Sequence, residues 1–387
     1  MQGKHGAQHG QSHNNNHGGI RTAAGFHHNN RAGWPGRYAM NRRKFLAHGV
    51  GPVSAVSILG LPAITLAQPA ASTASRATSI ESWRQRVQAI LNKGRMPIID
   101  MQATYVAGTT NIERMVKWMD ELDVAQIAFA AAFASDSEPS LELHRKYPDH
   151  FIPTTSSGEF PRWWNNPLAF LNGVSNDLKT GNYFTMGEHE FRHYPSPEQV
   201  AANNTARDIT IALDGPAGQR LFRLSEETGT AFQIHYEIED RLLPTLEDML
   251  ARHPKALVIW CHLGMIRYPD RAKNYSPDYV ASLIERFPGL HFDLAVPPPE
   301  NVYRPSGARD STIYSGDRLA DKWLALLEKF PDRFIAASDY RPPVEHHYPA
   351  VIERQRKLIL EPLGNATRHK IAYANAWRLV TGKPWSN

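Results

Sequence analysis

The 387-residue sequence has a single cysteine, Cys261, so a disulfide bond within one chain is excluded. Its place inside an apolar run favours a small buried side chain over a reactive thiol or a metal ligand. Of all residues, 21% are charged and 42% are hydrophobic, a balance that predicts a folded chain with a large core. The length suits one barrel of roughly 250–300 residues with extra segments.

Acidic residues are absent from the first 67 positions, which carry seven lysines and arginines. The remaining residues, 68–387, carry 36 basic and 38 acidic side chains, so the net charge of +5 comes from the leader. The body of the chain therefore has no basic tract to bind phosphates, and we predict no nucleic-acid partner.

The leader has two parts of different composition. Residues 1–39 are rich in His, Asn and Gly and have few large apolar side chains, which predicts a disordered extension. Residues 40–67 begin at Met40 with Asn-Arg-Arg-Lys-Phe-Leu, continue through an uncharged stretch and end in Thr-Leu-Ala, and they resemble a twin-arginine signal peptide. The glycines and prolines of that stretch disfavour a spanning helix, so we expect no stable membrane anchor after cleavage.

This resemblance implies export by the twin-arginine translocase to the periplasm or beyond, with either Met1 or Met40 as the initiator. Residues 68–80, rich in Ala, Ser and Thr, are interpreted as a linker. We expect the folded domain to span 81–387.

Within that domain, one junction recurs four times: a basic residue, an aromatic residue and a proline, followed by an apolar run. A cation suits the C-terminus of a helix, and proline cannot continue it, so each junction predicts a helix that ends before a strand. The four junctions begin at Lys146, Arg252, Arg286 and Lys329.

Eight short apolar runs are candidate strands, with helical patterns between them. This alternation predicts an α/β fold, a (β/α)8 TIM barrel. An open doubly wound sheet is less favoured, because no Gly-rich phosphate loop follows the first run. The predicted strands are 97–103, 125–131, 151–156, 183–188, 232–237, 257–263, 291–296 and 334–339.

Three long connections, 157–182, 189–215 and 297–316, follow strands and should lie on the C-terminal face, where barrel enzymes build their sites. Trp163 and Trp164 in the first connection can form a lid or pack the loop onto the barrel.

Ionisable or polar side chains stand at the ends of several predicted strands, where burial is costly without a partner or a function. In a closed barrel these ends converge on one cavity. The residues concerned are Asp100, Gln102, Glu188, His235, His262 and Asp339.

Several of these segments resemble motifs of the amidohydrolase-related family of metal-dependent hydrolases. They are the run 257–264 that ends in His-Leu-Gly, the Ser338-Asp339 pair, Gly187-Glu188, His235 in the fifth strand, and the C-terminal Asn-Ala-Trp-Arg-Leu of 375–379. The resemblance covers about 97–382. The first strand departs from it, because Gln102 and Thr104 stand where the family usually has two histidines.

The resemblance implies a divalent metal, with zinc favoured, held by His235, His262, Asp339 and Glu188. It also implies that Asp339 and His262 act in catalysis, with hydrolysis of an amide, ester or lactone, or decarboxylation, as the reaction. We interpret Gln102, Arg192 and His193, with Glu190, as contacts for a small, carboxylated substrate. For Arg192, a surface salt bridge is the favoured alternative. Because Gln102 is a weaker zinc ligand than imidazole, a metal-free enzyme and an exported, inactive ligand-binding protein remain alternatives.

Overall fold

In the computed structural model, residues 70–134, 136–342 and 347–386 are described, and these belong to one compact unit. The predictions for 1–39 and 40–67 lie outside the described residues. None of the helices within the described ranges has the length and apolarity needed to cross a membrane.

Eight parallel strands form the centre of the fold, each close to a predicted run. They are β1 Ile98–Tyr105, β2 Val124–Ala131, β3 Phe151–Thr154, β4 Met186–His193, β5 Phe232–Tyr236, β6 Val258–Trp260, β7 Leu290–Asp293 and β8 Phe334–Ile335. Their side chains are almost all buried, as expected for strands that are covered on both faces. Strand β4 runs five residues further than predicted, so that 189–193 belong to the strand and not to the connection.

Hydrogen bonding groups these strands into two sheets. One has the order β1-β2-β3, and the other contains β8-β7-β6-β5-β4, with the short strand Ile209–Thr210 antiparallel at its edge. Isolated parallel bridges join the sheets at both sides, from Thr154 to Thr185 and from Ala103 to Tyr340. The strands thus follow one another in the ring order of a (β/α)8 barrel, with interrupted pairing at two places, and the predicted fold class is confirmed.

Helices connect the strands. They are α1 Ala70–Asn92, α2 Ile112–Glu121, α3 Glu138–Lys146, α4 Pro161–Asn165, α5 Pro167–Lys179, α6 Pro197–Ala201, α7 Pro216–Thr228, α8 Leu243–Arg252, α9 Pro277–Arg286, α10 Asp321–Lys329, α11 Tyr348–Arg354, α12 Asn365–His369 and α13 Asn375–Thr381. Two π-helical segments, Gln355–Leu360 and Lys370–Ala374, continue α11 and α12.

The four basic-aromatic-proline junctions end helices as predicted, because α3, α8, α9 and α10 each finish at the basic residue. In each case the aromatic or histidine that follows donates its backbone N–H to the last turn. Helix α10 begins at Asp321, directly after Arg318–Leu319, which pairs with Tyr314–Ser315 as a small hairpin.

Most of the segment 68–80, which the sequence analysis interprets as a linker, lies in helix α1, because this helix begins at Ala70. The helix is held by the barrel: Trp83 is buried and donates to the Pro148 carbonyl at 2.9 Å. The Arg76 guanidinium lies 3.7 Å from the centre of the Phe184 ring. These tertiary contacts stabilise the helix, although the composition of its first turns is typical of a linker.

The C-terminal Asn-Ala-Trp-Arg-Leu segment lies in α13 and binds that helix to the start of β8 and the residues just before it. Asn375 donates from Nδ2 to the carbonyls of Pro331 and Phe334, at 2.7 and 2.8 Å. Arg378 donates to the Asp332 carbonyl at 3.0 Å. The segment therefore has a structural role, away from the strand ends that carry the polar cluster.

Candidate functional site

Three buried side chains converge from neighbouring strands: Glu188 within β4, His235 near the C-terminal end of β5, and His262 just beyond the C-terminal end of β6. Oε1 of Glu188 lies 2.9 Å from Nδ1 of His235 and 3.4 Å from Nε2 of His262. The two imidazole nitrogens are 3.2 Å apart. Among the residues that the structure describes, these three form the one group of His, Cys, Asp and Glu close enough to share a metal ion.

The outer nitrogens of both rings are already engaged. Nδ1 of His262 lies 2.8 Å from the Ala295 carbonyl, which can only accept, so this nitrogen carries the hydrogen. Nε2 of His235 lies 3.2 Å from Oε1 of Glu237. Burial alone would raise the pKa of Glu237, but Arg267 and His235 lower it to about 2, so Glu237 is an accepting carboxylate.

In the neutral rings, the two inward nitrogens are therefore hydrogen-bond acceptors, like the Glu188 oxygen that they face. Three acceptor atoms about 3 Å apart repel one another unless a cation or a proton lies between them. Burial lowers the pKa of His262, but the nearby carboxylates of Glu188, Asp339 and Asp293 raise it to about 10. This shift has the same cause as the repulsion among the acceptors, because the position favours a positive charge. The donor set, two imidazole nitrogens and one carboxylate oxygen, fits a zinc-type ion.

The second oxygen of Glu188, Oε2, is held by residues other than the two histidines. Gln102, on β1, donates from Nε2 to Oε2 at 2.8 Å, and Nη2 of Arg341 lies 3.5 Å from the same atom. Gln102 is thus brought to the cluster, as predicted, but its amide contacts the glutamate. Its Oε1 is buried and has no hydrogen-bond partner in the described part of the chain.

Asp339 does not join the three-residue group, so the structure does not place it with the other predicted metal ligands. Its Oδ1 accepts a hydrogen bond from Nη2 of Arg341 at 3.0 Å, and its side chain is 35% exposed. It stands at the mouth of the barrel beside the cluster. Arg341 also forms an ion pair with buried Glu159, and Glu159 accepts a hydrogen bond from Thr104 at 2.8 Å.

Two of the predicted site residues have left-handed backbone conformations. The φ angle is 64° at His262 and 52° at Asp339, values that are uncommon for residues other than glycine. The His262 conformation is held by Asp293, whose Oδ1 accepts from the His262 backbone N–H at 2.7 Å. Backbone strain of this kind clusters at functional sites, where the surrounding structure sustains it.

Arg192 does not serve as a free substrate contact, and that prediction is corrected. Its guanidinium is buried and pairs with Glu239 at 2.8 Å and with Asp208 at 2.6 Å. Because Nε donates to Glu239 and Nη1 donates to Asp208, the buried guanidinium has little left to offer a ligand. His193, by contrast, lies beside the cluster: its ring centre is 4.6 Å from that of His235, and its Nδ1 is 3.1 Å from the Arg207 carbonyl.

The two tryptophans pack the first long connection onto the barrel. Trp163 is fully buried and donates to the Glu190 carbonyl at 2.7 Å, while Trp164 donates to Oε2 of Glu190 at 2.8 Å. Burial raises the pKa of Glu190 to about 7, although its ion pair with Arg207 opposes this shift. The packing interpretation is therefore the one that the structure supports.

Four charged residues of this region were not predicted from the sequence: Glu159, Arg207, Glu237 and Arg341. Glu237 and Arg341 each follow a predicted site residue, His235 or Asp339, by two positions, and this position just beyond a strand end is the sequence signal that marks them. No local pattern pairs Arg207 with Glu190, because that contact depends on the path of the connection between β4 and α7.

The family model for amidohydrolases matches residues 180–381, just over half of the chain. The match includes Glu188, His235, His262 and Asp339, whereas β1 with Gln102 and Thr104 lies outside it. No match is found among curated proteins.

Several solved structures are similar at low sequence identity. A 2,6-dihydroxybenzoate decarboxylase complexed with 2,6-dihydroxybenzoate shares 14% identity with a TM-score of 0.47, over 74% of this chain and 99% of that chain. An amidohydrolase 2 from Bifidobacterium longum subsp. infantis shares 12%, with a TM-score of 0.41 over 74% and 98% of the two chains. An organophosphorus hydrolase from Deinococcus radiodurans shares 12%, with a TM-score of 0.47 over 74% and 92%. Since the family model covers more than half of the sequence, the chain belongs to the amidohydrolase family.

Proposed function

We propose that the protein is a metal-dependent hydrolase whose ion is held by Glu188, His235 and His262. The observation that carries this proposal is the convergence of three acceptor atoms, 2.9 to 3.4 Å apart, whose protonation is fixed from outside by Glu237 and the Ala295 carbonyl. Three protein ligands leave a coordination position open, which is the pattern of catalytic rather than structural zinc sites. A bound divalent ion polarises a carbonyl and lowers the pKa of water to about 7.

The protein's own residues would supply the proton transfers. Asp339 is partly exposed beside the cluster, and the Arg341 hydrogen bond of 3.0 Å orients its carboxylate. We assign to Asp339 the removal of a proton from the attacking water and its delivery to the leaving nitrogen or oxygen. His193 borders the same space and is available to contact the substrate, while Gln102 keeps Glu188 in place.

The substrate class that fits is an amide, ester or lactone, since each presents a carbonyl to a nucleophilic water. Decarboxylation of a carboxylated substrate is the second reaction that the family resemblance allows. Arg192 is excluded as the contact for such a carboxylate, because its buried guanidinium already pairs with Glu239 and Asp208.

The proposal is tested by metal analysis of protein that was purified after refolding with Zn²⁺ or Mn²⁺. We expect about one ion per chain and a thermal midpoint that rises with added metal. The His262→Gln variant should lose the ion, whereas His253→Gln should keep it, because His253 pairs with Glu226 outside the site. Wild-type protein without bound metal and without a thermal shift would contradict the proposal.

Catalysis is tested separately with the Asp339→Asn variant on a panel of esters, lactones, amides and aromatic carboxylates. Wild-type turnover that falls at least about 100-fold in the variant, with metal content unchanged, supports the assigned proton transfer. Turnover that persists in the variant removes Asp339 from the mechanism. Absence of wild-type turnover on the panel, together with ligand binding, would favour an exported binding protein.

We also propose, from the leader alone, that the chain is exported to the periplasm or beyond by the twin-arginine translocase. The basic leader and near-neutral body support this proposal. Because this pathway carries proteins that fold before transport, the enzyme would acquire its metal before export.

A further inference from the structure

The connections that follow β4, β6 and β7 contact one another across one side of the barrel mouth. Tyr303 donates from its hydroxyl to the Pro195 carbonyl at 2.8 Å. The ring centre of Tyr268 lies 4.7 Å from that of Tyr194 and 5.4 Å from that of Tyr303. Because β5 lies between β4 and β6 in the ring of strands, these connections cover the side at which β5 and β6 carry the two clustered histidines.

In the described part of the chain, solvent reaches the site from the side of β8. The side chain of Asp339 is 35% exposed, whereas the side chains of the three clustered ligands are at most 4% exposed. A substrate that approaches the buried cluster therefore passes Asp339. Under the proposed function, this residue delivers the proton to the leaving group.

Two phenylalanines form a pair on the connections that follow β2 and β3. The ring centres of Phe133 and Phe160 are 3.7 Å apart, and Phe133 is 57% exposed, more than any other large apolar side chain of the described residues. Phe133 also has a φ angle of 57°, while the preceding N–H, of Ala132, is held by the Tyr105 carbonyl at 2.8 Å. Exposed aromatic surface and an uncommon backbone conformation are both typical of binding sites.

The aromatic pair is linked to Asp339 by two ion pairs. Phe160 directly follows Glu159, whose carboxylate pairs with Nη1 of Arg341. Nη2 of Arg341 in turn lies 3.0 Å from Oδ1 of Asp339. The apolar surface is therefore continuous with the accessible side of the site, and it lies on the side of the residue that serves the leaving group.

We propose that Phe133 and Phe160 form an apolar subsite for the leaving group, so that the substrate is an ester or amide with an apolar alcohol or amine part. This inference rests on the proposed function, since the role of Asp339 identifies which part of the substrate lies here. Water adds to the carbonyl carbon, and the bond from that carbon to the leaving oxygen or nitrogen breaks. The leaving atom takes the proton that Asp339 carries, so the group bound to that atom lies nearest to the aromatic pair.

The test uses isomers that differ only in where a phenyl ring is attached. Benzyl acetate has the ring on the leaving side and methyl phenylacetate has it on the acyl side, and N-benzylacetamide with N-methyl-2-phenylacetamide is the matching amide pair. With protein loaded with Zn²⁺ or Mn²⁺, kcat/KM should favour the leaving-side isomer by about 10-fold or more, after correction for the rates of alkaline hydrolysis. A ratio near one, or a preference for the acyl-side isomer, overturns the proposal.

The Phe133→Asn variant should bring this ratio close to one. Asparagine removes the ring and tolerates the left-handed conformation, and Phe133→Gly replaces it if the first variant does not fold. Val302→Thr is the matched control, because Val302 is 42% exposed on the connection after β7, at the covered side. An unchanged ratio in the Phe133 variant, or an equal loss in Val302→Thr, contradicts the assignment.

Binding of benzyl alcohol, the leaving group of the first ester, tests the subsite without catalysis. In an NMR titration, wild-type protein should bind benzyl alcohol about 10-fold more tightly than Phe133→Asn. If wild type binds it in this way but hydrolyses none of the four isomers, the subsite is supported and the proposed hydrolysis of esters and amides fails. Equal binding by the two proteins overturns the subsite, whatever the hydrolysis result.

Discussion

Oε1 of Glu237 lies 3.2 Å from Nε2 of His235, and this contact determines which nitrogen of the ring faces Glu188. The same oxygen accepts from Arg267 at 2.7 Å and from the Tyr194 backbone N–H at 3.2 Å. A carboxylate behind a histidine of this kind fixes the ring tautomer and orientation, and it makes the inner nitrogen a better ligand.

We predict that Glu237→Gln weakens metal binding at the site by about 10- to 100-fold. The variant keeps the shape of the side chain but loses the charge that holds the proton on Nε2. Competition with a chromophoric chelator measures the change in Kd. Glu226→Gln is the matched control, because Glu226 also contacts a histidine, His253 at 2.9 Å, away from the site. Equal affinities in wild type and Glu237→Gln would contradict the prediction.

The pH dependence of stability should include a contribution from His291, which is buried at the base of β7. Burial, together with Arg333 and Arg378, lowers its pKa to about 3. The folded state therefore keeps this ring neutral, while the unfolded chain protonates it near pH 6.5. Stability should fall as the pH drops below 6.5, by about 1.4 kcal/mol per pH unit from this group, until the pH nears 3.

The measurement is urea unfolding between pH 7 and pH 4.5 for wild type and His291→Gln. We expect the variant to have a shallower decline, because glutamine takes up no proton in either state. Parallel curves for the two proteins would show that His291 does not contribute. His253→Gln, at a partly exposed histidine, provides the comparison for a general effect of histidine removal.

Replacement of two helical glycines by alanine should change the free energy of unfolding in opposite directions. A Cβ at Gly218 in α7 would lie 1.7 Å from the Leu213 carbonyl oxygen, so the backbone would have to move. We expect Gly218→Ala to lower the free energy of unfolding by about 1–3 kcal/mol or more. A Cβ at Gly173 in α5 meets no atom within 4 Å, and the substitution should stabilise by about 0.5–1 kcal/mol. Denaturant unfolding of both variants checks the signs, and a stabilising Gly218→Ala would refute the packing argument.

Export should depend on the paired arginines of the leader. In a bacterium with a twin-arginine pathway, we expect the chain to reach the periplasm and to start at Gln68 after cleavage behind Ala67. Replacement of Arg42 and Arg43 by lysine should retain the protein inside the cell, whereas Arg37→Lys should have no effect. Fractionation and the mass of the mature N-terminus test this, and export of the double variant would contradict it.

The sequence by itself determined where the strands lie and where four helices end. These ends depend on a local physical rule, a basic residue followed by an aromatic residue or histidine and a proline, as at the end of α8. It also determined that Glu188, His235 and His262 would share one end of the barrel, because the C-terminal ends of parallel strands lie on one face.

Only the tertiary structure decided how the charges pair. Asp339 contacts Arg341 rather than the three converging ligands, Arg192 is buried between Glu239 and Asp208, and residues 70–80 form a helix on the barrel. These outcomes depend on side chains far apart in sequence and on burial, which sets both the cost of an unpaired charge and the gain from a partner. No local pattern encodes that balance. The hydrogen bonds from Gln102 to Glu188 and from Thr104 to Glu159 therefore depend on the fold, which also brings Arg341 to both glutamates.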